Sequence, residues 1–142
     1  MGRRASREIA MKLLYQMEIQ REDREDQIQA VFEENALAEN DRKYVSEVIK
    51  GVSDNLSFID DIIEKYSKGW KISRLSKVDL SILRLSIFEI SFRNDIPFNV
   101  SVNEAVELAK RYSSEDAGAF VNGILGKVTK QKELPVESKG EA

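Results

Sequence analysis

The chain has 142 residues and contains no Cys and no His. A chain of this length makes one ordinary domain and buries roughly two-thirds of its unfolded surface. The two absences exclude a Ser-His-Asp or Cys-His nucleophile, thiolate and imidazole metal sites, and any disulfide framework. A net charge of −3 argues against indiscriminate coating of nucleic acid, yet the charge is unevenly spread. Residues 1–16 set Arg3, Arg4, Arg7 and Lys12 against Glu8 alone, whereas residues 22–41 hold eight acids against Arg24. A basic end beside an acidic segment localises binding even in an acidic protein.

Apolar residues recur with a helical period along nearly the whole chain, and no segment alternates as a strand does. Ile9, Leu13 and Met17 make one row beside Ala10 and Leu14. After a charged turn at Arg21–Asp26, the residues Ile28, Val31 and Phe32 mark a short second helix. Tyr44, Val48 and Val52 form the next row, with Asp41 as its expected N-cap. Ser57–Asp60 reads as a capping box for a helix that Gly69 stops. Ser76–Asp79 repeats that signal ahead of Leu80–Phe92, a helix apolar on most sides and therefore the expected centre of the fold.

Pro97 ends that helix, because it cannot continue the hydrogen-bond ladder. Ser101–Glu104 is a full capping box for a helix through Tyr112. Ser113 or Ser114 then caps a last helix whose core face is Ala117, Phe120, Val121, Ile124, Leu125 and Val128. Gly118, Gly123 and Gly126 lie inside it, at a cost of roughly 1 kcal/mol each, and imply close backbone approach to another helix or a ligand. Residues 131–142 read as a polar, disordered tail. The fold expected is all-α, about seven helices in one compact domain. The acidic stretch near residues 33–41 is the candidate boundary between an N-terminal and a C-terminal helical group.

The longest uncharged run, Ala117 to Gly126, is ten residues, against roughly 20 needed to span a bilayer. A cytoplasmic chain without a membrane segment or leader is expected. An enzyme would have to use carboxylates, and Asp60 with Glu64, one helical turn apart beside Asp61, could share a Mg²⁺ with a substrate phosphate. Their alternative role is a solvated helix face. The basic N-terminal segment is the better candidate site. Arginines fork onto phosphates and stack on bases, and Tyr15 offers an aromatic platform unless it belongs to the core. A second polar cluster surrounds the junction of the last two helices. Lys110 and Arg111 there either complement a helix dipole or face a phosphate backbone, with Asp116 tuning affinity. Trp70 and Ile72 read as core plugs.

Several ordered stretches resemble the transcription antitermination factor family NusB. They are Arg3–Ala10 running into Leu13-Leu14-Tyr15-Gln16, Leu83–Ile90, Ile96-Pro97, Val102–Lys110 and, most specifically, Phe120-Val121-Asn122-Gly123-Ile124-Leu125. The resemblance implies two packed helical bundles, about residues 3–55 and 57–130, in one domain of residues 1–130. It implies no enzymatic activity and no cofactor. It implies pairing with NusE, a ribosomal small-subunit protein, and binding of single-stranded boxA RNA in ribosomal RNA leaders within an RNA polymerase antitermination complex. For the free protein it leaves a homodimer as an alternative.

Matched by position, Arg3, Arg4 and Arg7 correspond to the family's RNA-binding segment. Tyr15, Lys110, Asp116 and Phe120 fall in RNA-facing stretches, and Asp79 and Arg84 fall where the family meets NusE. Phe88 stands where the family often has Tyr, and Ala117-Gly118-Ala119 is smaller than in many relatives. Asn122-Gly123 reads first as structural. A similar module opens some ribosomal RNA cytosine methyltransferases, but this chain has no length for their catalytic domain and no Cys for its nucleophile. A helical protein-interaction adaptor is the alternative function.

Overall fold

The computed structural model describes residues 2–20 and 24–133. Among them lie seven α-helices and no strand: α1 (Arg3–Gln20), α2 (Arg24–Asn35), α3 (Glu39–Asp54), α4 (Leu56–Tyr66), α5 (Lys77–Phe92), α6 (Phe98–Tyr112) and α7 (Glu115–Glu133). A single 3-10 turn, Ile72–Arg74, lies between α4 and α5. The turn expected at Arg21–Asp26 falls partly outside the described residues, and α2 starts within it at Arg24. Helix α7 continues through the first three residues of the expected tail, and residues 134–142 lie outside the described residues.

Helix α5 is the centre of the molecule. It packs against α1, α3, α4, α6 and α7, and every side chain from Leu80 to Ile90 is buried. That is why its sequence shows no apolar stripe: a helix surrounded on all sides has no face to leave polar. Phe92, the last residue of the apolar stretch, is the exception and is nearly half exposed. Around α5 one continuous core takes Ala10, Leu13 and Leu14 from α1, Tyr44, Val45, Val48 and Ile49 from α3, and Val121, Ile124 and Leu125 from α7. Helix α3 approaches α5 so closely that a Cβ at Gly51 would lie 2.0 Å from Cε1 of Phe88.

Two of the sequence caps form. The Ser76 hydroxyl accepts the backbone N–H of Asp79 at 3.0 Å, and the Ser114 hydroxyl accepts that of Ala117 at 3.0 Å. Three do not. Helix α3 starts at Glu39 with Ala38 as N-cap, and Asp41 instead accepts a 2.7 Å bond from the buried Ser6 hydroxyl. Helix α4 starts at Leu56, so Ser57 and Asp60 lie within it and Asp60 faces Arg84. Helix α6 starts a turn early, at Phe98 directly after Pro97. A proline is well suited there because its fixed φ leads into the helix and its missing N–H is not needed. Ser101 and Glu104 are thereby carried into the helix and used elsewhere.

Helix α4 ends at Tyr66, before Gly69, and the chain reverses through left-handed Lys68 (φ 55°) and Gly69 (φ 91°). Trp70 then lies half exposed and does not plug the core, although Ile72 packs against it. Of the α7 glycines only Gly118 permits close approach: a Cβ there would lie 2.8 Å from Cγ of Lys110. Gly123 and Gly126 face open space, so packing does not explain them.

Candidate nucleic-acid interface

Helix α1 places its three arginines in three different settings. At 100° per residue, Arg7 falls between the directions of Arg3 and Arg4 and one turn deeper along the helix. Arg4 turns toward α6 and grips Glu104 with two hydrogen bonds, 3.0 Å from Nε and 2.7 Å from Nη2. Arg3 turns toward α3 and lies over the Tyr44 ring, 4.4 Å from its centroid. Both are exposed. Arg7 faces inward, is 3% exposed, and bonds at 2.8 Å and 3.2 Å to Glu89, which is completely buried.

Glu89 also accepts from the Tyr44 hydroxyl and, at 2.8 Å, from the Ser101 hydroxyl. Four helices therefore meet at one carboxylate. Burial and the neighbouring Glu89 both push the Tyr44 hydroxyl well above its ordinary pKa, so it remains a donor. Arg7, expected to present its guanidinium to RNA, instead points inward here, with Nε and Nη2 both bonded to Glu89. Three close arginines read as one patch in sequence, and helical rotation separates them.

The outer face of α1 continues along α6 in alternating charge. Arg111 reaches Glu8 at 3.4 Å, and Lys12 lies 5.1 Å from the centroid of Tyr112. Tyr15, 40% exposed, lies beyond them on α1 and is a surface residue, not a core one. The carboxylates Glu8 and Glu104 in this strip were not anticipated. Glu104 was hidden by its apparent capping role, while the i, i+4 spacing of Glu8 and Lys12 was the available signal. Hydrogen bonding from Arg4 holds the Glu104 carboxyl below the usual carboxylate range despite partial burial.

A second cluster forms where α5, α6 and α7 converge. Asp79, Asp116 and Phe120 line one cleft of about 320 Å³ together with Trp70. Lys110 lays its aliphatic stem on Gly118, leaving its exposed ammonium at the end of α6. Asp79 is half-buried, and its Oδ1 is shielded with no hydrogen-bond partner. Asn122 and Gly123 are exposed, contrary to a packing role.

Arg84 does not belong to this surface. It is buried, forks Asp60 at 2.9 Å and 2.8 Å, and bonds Glu18 at 2.8 Å. Expected as a contact for a partner protein, it joins α1, α4 and α5 from within this chain. Burial raises the Glu18 carboxyl, but Arg84 and Lys77 together more than reverse this and leave it lowered. The carboxylates once read as a Mg²⁺ pair are committed as well: Asp60 to Arg84, and Glu64 to the backbone N–H of Ile72 at 2.9 Å.

The family model of the NusB family matches residues 4–130, which contain both clusters except for Arg3. The chain belongs to the NusB family. The transcription antitermination protein NusB of Acetivibrio thermocellus is 64% identical over 93% of this chain and 91% of its own. The NusB of Ruminiclostridium cellulolyticum is 62% identical over 97% and 94%. Among solved structures, T. maritima NusB superposes with a TM-score of 0.87 at 39% identity, covering 100% of this chain and 99% of that one. A crystal structure of the antitermination factors NusB and NusE in complex with dsRNA gives a TM-score of 0.83 at 29% identity, covering 91% and 96%. The NusB relatives are named as transcription antitermination proteins. No described helix is long and apolar enough to cross a membrane.

Proposed function

We propose that this chain is a non-catalytic antitermination factor that pairs with NusE and binds boxA-type single-stranded RNA in ribosomal RNA leader transcripts. The observation that carries the reading is the exposed α1–α6 face. Arg4, Lys12 and Arg111 there accompany Tyr15 and Tyr112, with Lys110 exposed at the neighbouring α6–α7 junction, on a chain whose relatives include a NusB crystallised with NusE and RNA. Unpaired bases stack on aromatic rings and guanidinium planes while cations hold the phosphates. Arg3, Arg4 and Lys110 take the backbone, Tyr15 and Phe120 take bases, and Asp116 limits affinity by repulsion. Arg7 contributes indirectly, by fixing the helix from which Arg3 and Arg4 project.

Asp79 is the residue for NusE. Its shielded Oδ1 lacks a donor within the chain, and an unpaired buried acceptor costs about 1–3 kcal/mol that a partner's cation would relieve. The complex then joins RNA polymerase, in the cytoplasm. The test is binding of a boxA-type RNA and a scrambled control, each with and without NusE. Selective binding that strengthens with NusE and weakens in Arg4→Ala is the expected result. Equal weak binding of both RNAs, with NusE still bound in an Asp79-dependent way, would replace this reading with the protein-interaction adaptor.

A further inference from the structure

Arg3 also borders a second concavity, on the opposite flank of α1 from Arg4 and Glu104. A cleft of about 680 Å³ lies between α3 and the C-terminal end of α5, lined by Arg3, Lys43, Tyr44, Phe88, Phe92 and Arg93 among others. That volume suits a small organic ligand. We propose that this cleft is an additional nucleotide subsite, in which a base stacks on Phe92, itself backed by the buried Phe88, and the adjoining phosphates meet Arg3 and Lys43. The inference rests on the RNA-binding reading above and extends it to a site none of whose residues except Arg3 was expected to touch RNA.

Three observations favour it. First, Phe92 terminates an otherwise buried helix, yet is 44% exposed, and its neighbour Phe58 is 48% exposed. The Phe58 and Phe92 rings meet edge to face at 5.8 Å, and Phe88 lies 5.7 Å from Phe92. They form an aromatic platform already held in place, and base stacking on such a platform tolerates any base.

Second, the cleft has surplus positive charge. Its acids are matched: Glu47 by Arg93 at 3.2 Å, and Asp54 by Lys50 at 3.1 Å. Arg3 and Lys43 form no ion pair within 4 Å among the described residues, but Arg93 also forks Asp95 at 2.9 Å and Arg3 acts on the same carboxylate, so the surplus at the cleft is one cation, with Lys43 the freest. The matched pairs also set donors and acceptors along the wall, as the polar edge of a base requires.

Third, the cleft is continuous with the candidate interface. Arg3 and Arg4 are adjacent on α1, one turned into this cleft and the other toward α6. A strand following the α1–α6 face past Arg4 meets Arg3 next and then the aromatic platform. An acidic peptide would satisfy the cations but would leave the flat rings without matching flat faces, so RNA is the better fit.

The experiment uses the full chain with NusE. A boxA-type RNA is compared with the same RNA extended by three unpaired nucleotides at either end and carrying 4-thiouridine in the extension. One extension is expected to tighten binding about tenfold in the native protein, the scale of one stacked base. Phe92→Ala should abolish that gain, and Lys43→Ala should reduce it and flatten the salt dependence by about 0.7 of a logarithmic slope. Both residues are exposed, so the variants should fold and bind the unextended RNA as the native chain does. The thiouridine should crosslink to Phe92.

No gain from either extension, an undiminished gain in Phe92→Ala, or a crosslink elsewhere would overturn the subsite while leaving unextended binding intact. Phe92-dependent capture of poly-glutamate with no gain from extended RNA would assign the cleft to an acidic peptide instead. If neither RNA binds the native complex, the RNA-binding reading fails together with the subsite.

Discussion

Arg4 and Arg7 are three residues apart and should respond to substitution in opposite ways. Arg7→Ala leaves Glu89 buried without its charged partner, and removing one member of a buried pair costs about 3–5 kcal/mol; chemical denaturation should read that loss directly. Arg4→Ala should leave the denaturation midpoint nearly unchanged and weaken RNA binding, because its pair with Glu104 is on the surface. An RNA phosphate must displace Glu104 to reach Arg4. Glu104→Gln is therefore expected to raise RNA affinity about two- to fivefold at low salt, the scale of an exposed ion pair. A fall in affinity in an anisotropy titration would mean that Glu104 orients Arg4 and does not compete for it. The chemistry of these side chains was legible in the sequence; their partners were not. Nothing local distinguishes Arg7 from Arg4, since the distinction is made by Glu89, 82 residues away.

Helices are the part of the fold that local pattern specified best, and their starts the part it specified least. Ser76 and Ser114 cap their helices, and among the described residues neither hydroxyl bonds a distant side chain. Ser101 and Asp41 carry the same local signal, but Glu89 and Ser6 claim them from other helices, and the helices begin elsewhere. Glycines divide in the same way. Gly51→Ala drives a methyl group into Phe88, and overpacking of this kind typically costs 1–3 kcal/mol, about or above the gain in helix propensity. Gly123→Ala and Gly126→Ala meet nothing, and should each stabilise α7 by about 0.5–1 kcal/mol. Thermal melts of the three variants check the contrast. A destabilised Gly123→Ala would show that α7 needs the glycine for its own packing after all.

At the scale of the whole molecule, carboxylates hold the helices together and should set the response to acid. Arg93 holds Asp95 at about 2, and Glu18 and Glu104 are also lowered by their cationic neighbours. A lowered folded pKa means that the unfolded chain binds more protons between the two values, so stability is fully present above the ordinary carboxylate range. It is lost as pH falls from about 5 toward 2. Glu18→Gln should narrow its stability gap to the native chain over that range, measured as urea midpoints against pH; a gap that widens would reverse the sign of this account. The net charge of −3 also concealed how the surface is organised. Charge balance along the chain located a basic end, but helix packing decided that Arg3 and Arg4 diverge and that Asp79, Asp116 and Phe120 share a cleft. Family likeness carried those residues to one surface before packing could explain why.

The central claim is that Arg3, Arg4 and Lys110 hold RNA phosphates while Arg7 works from inside. The most direct measurement is the salt dependence of boxA-type RNA affinity in the presence of NusE. Three phosphate contacts predict a slope of about −2 in log K against log salt, falling by about 0.7 in Arg4→Ala and again in Lys110→Ala. A slope near zero, or one that neither substitution changes, would contradict the account.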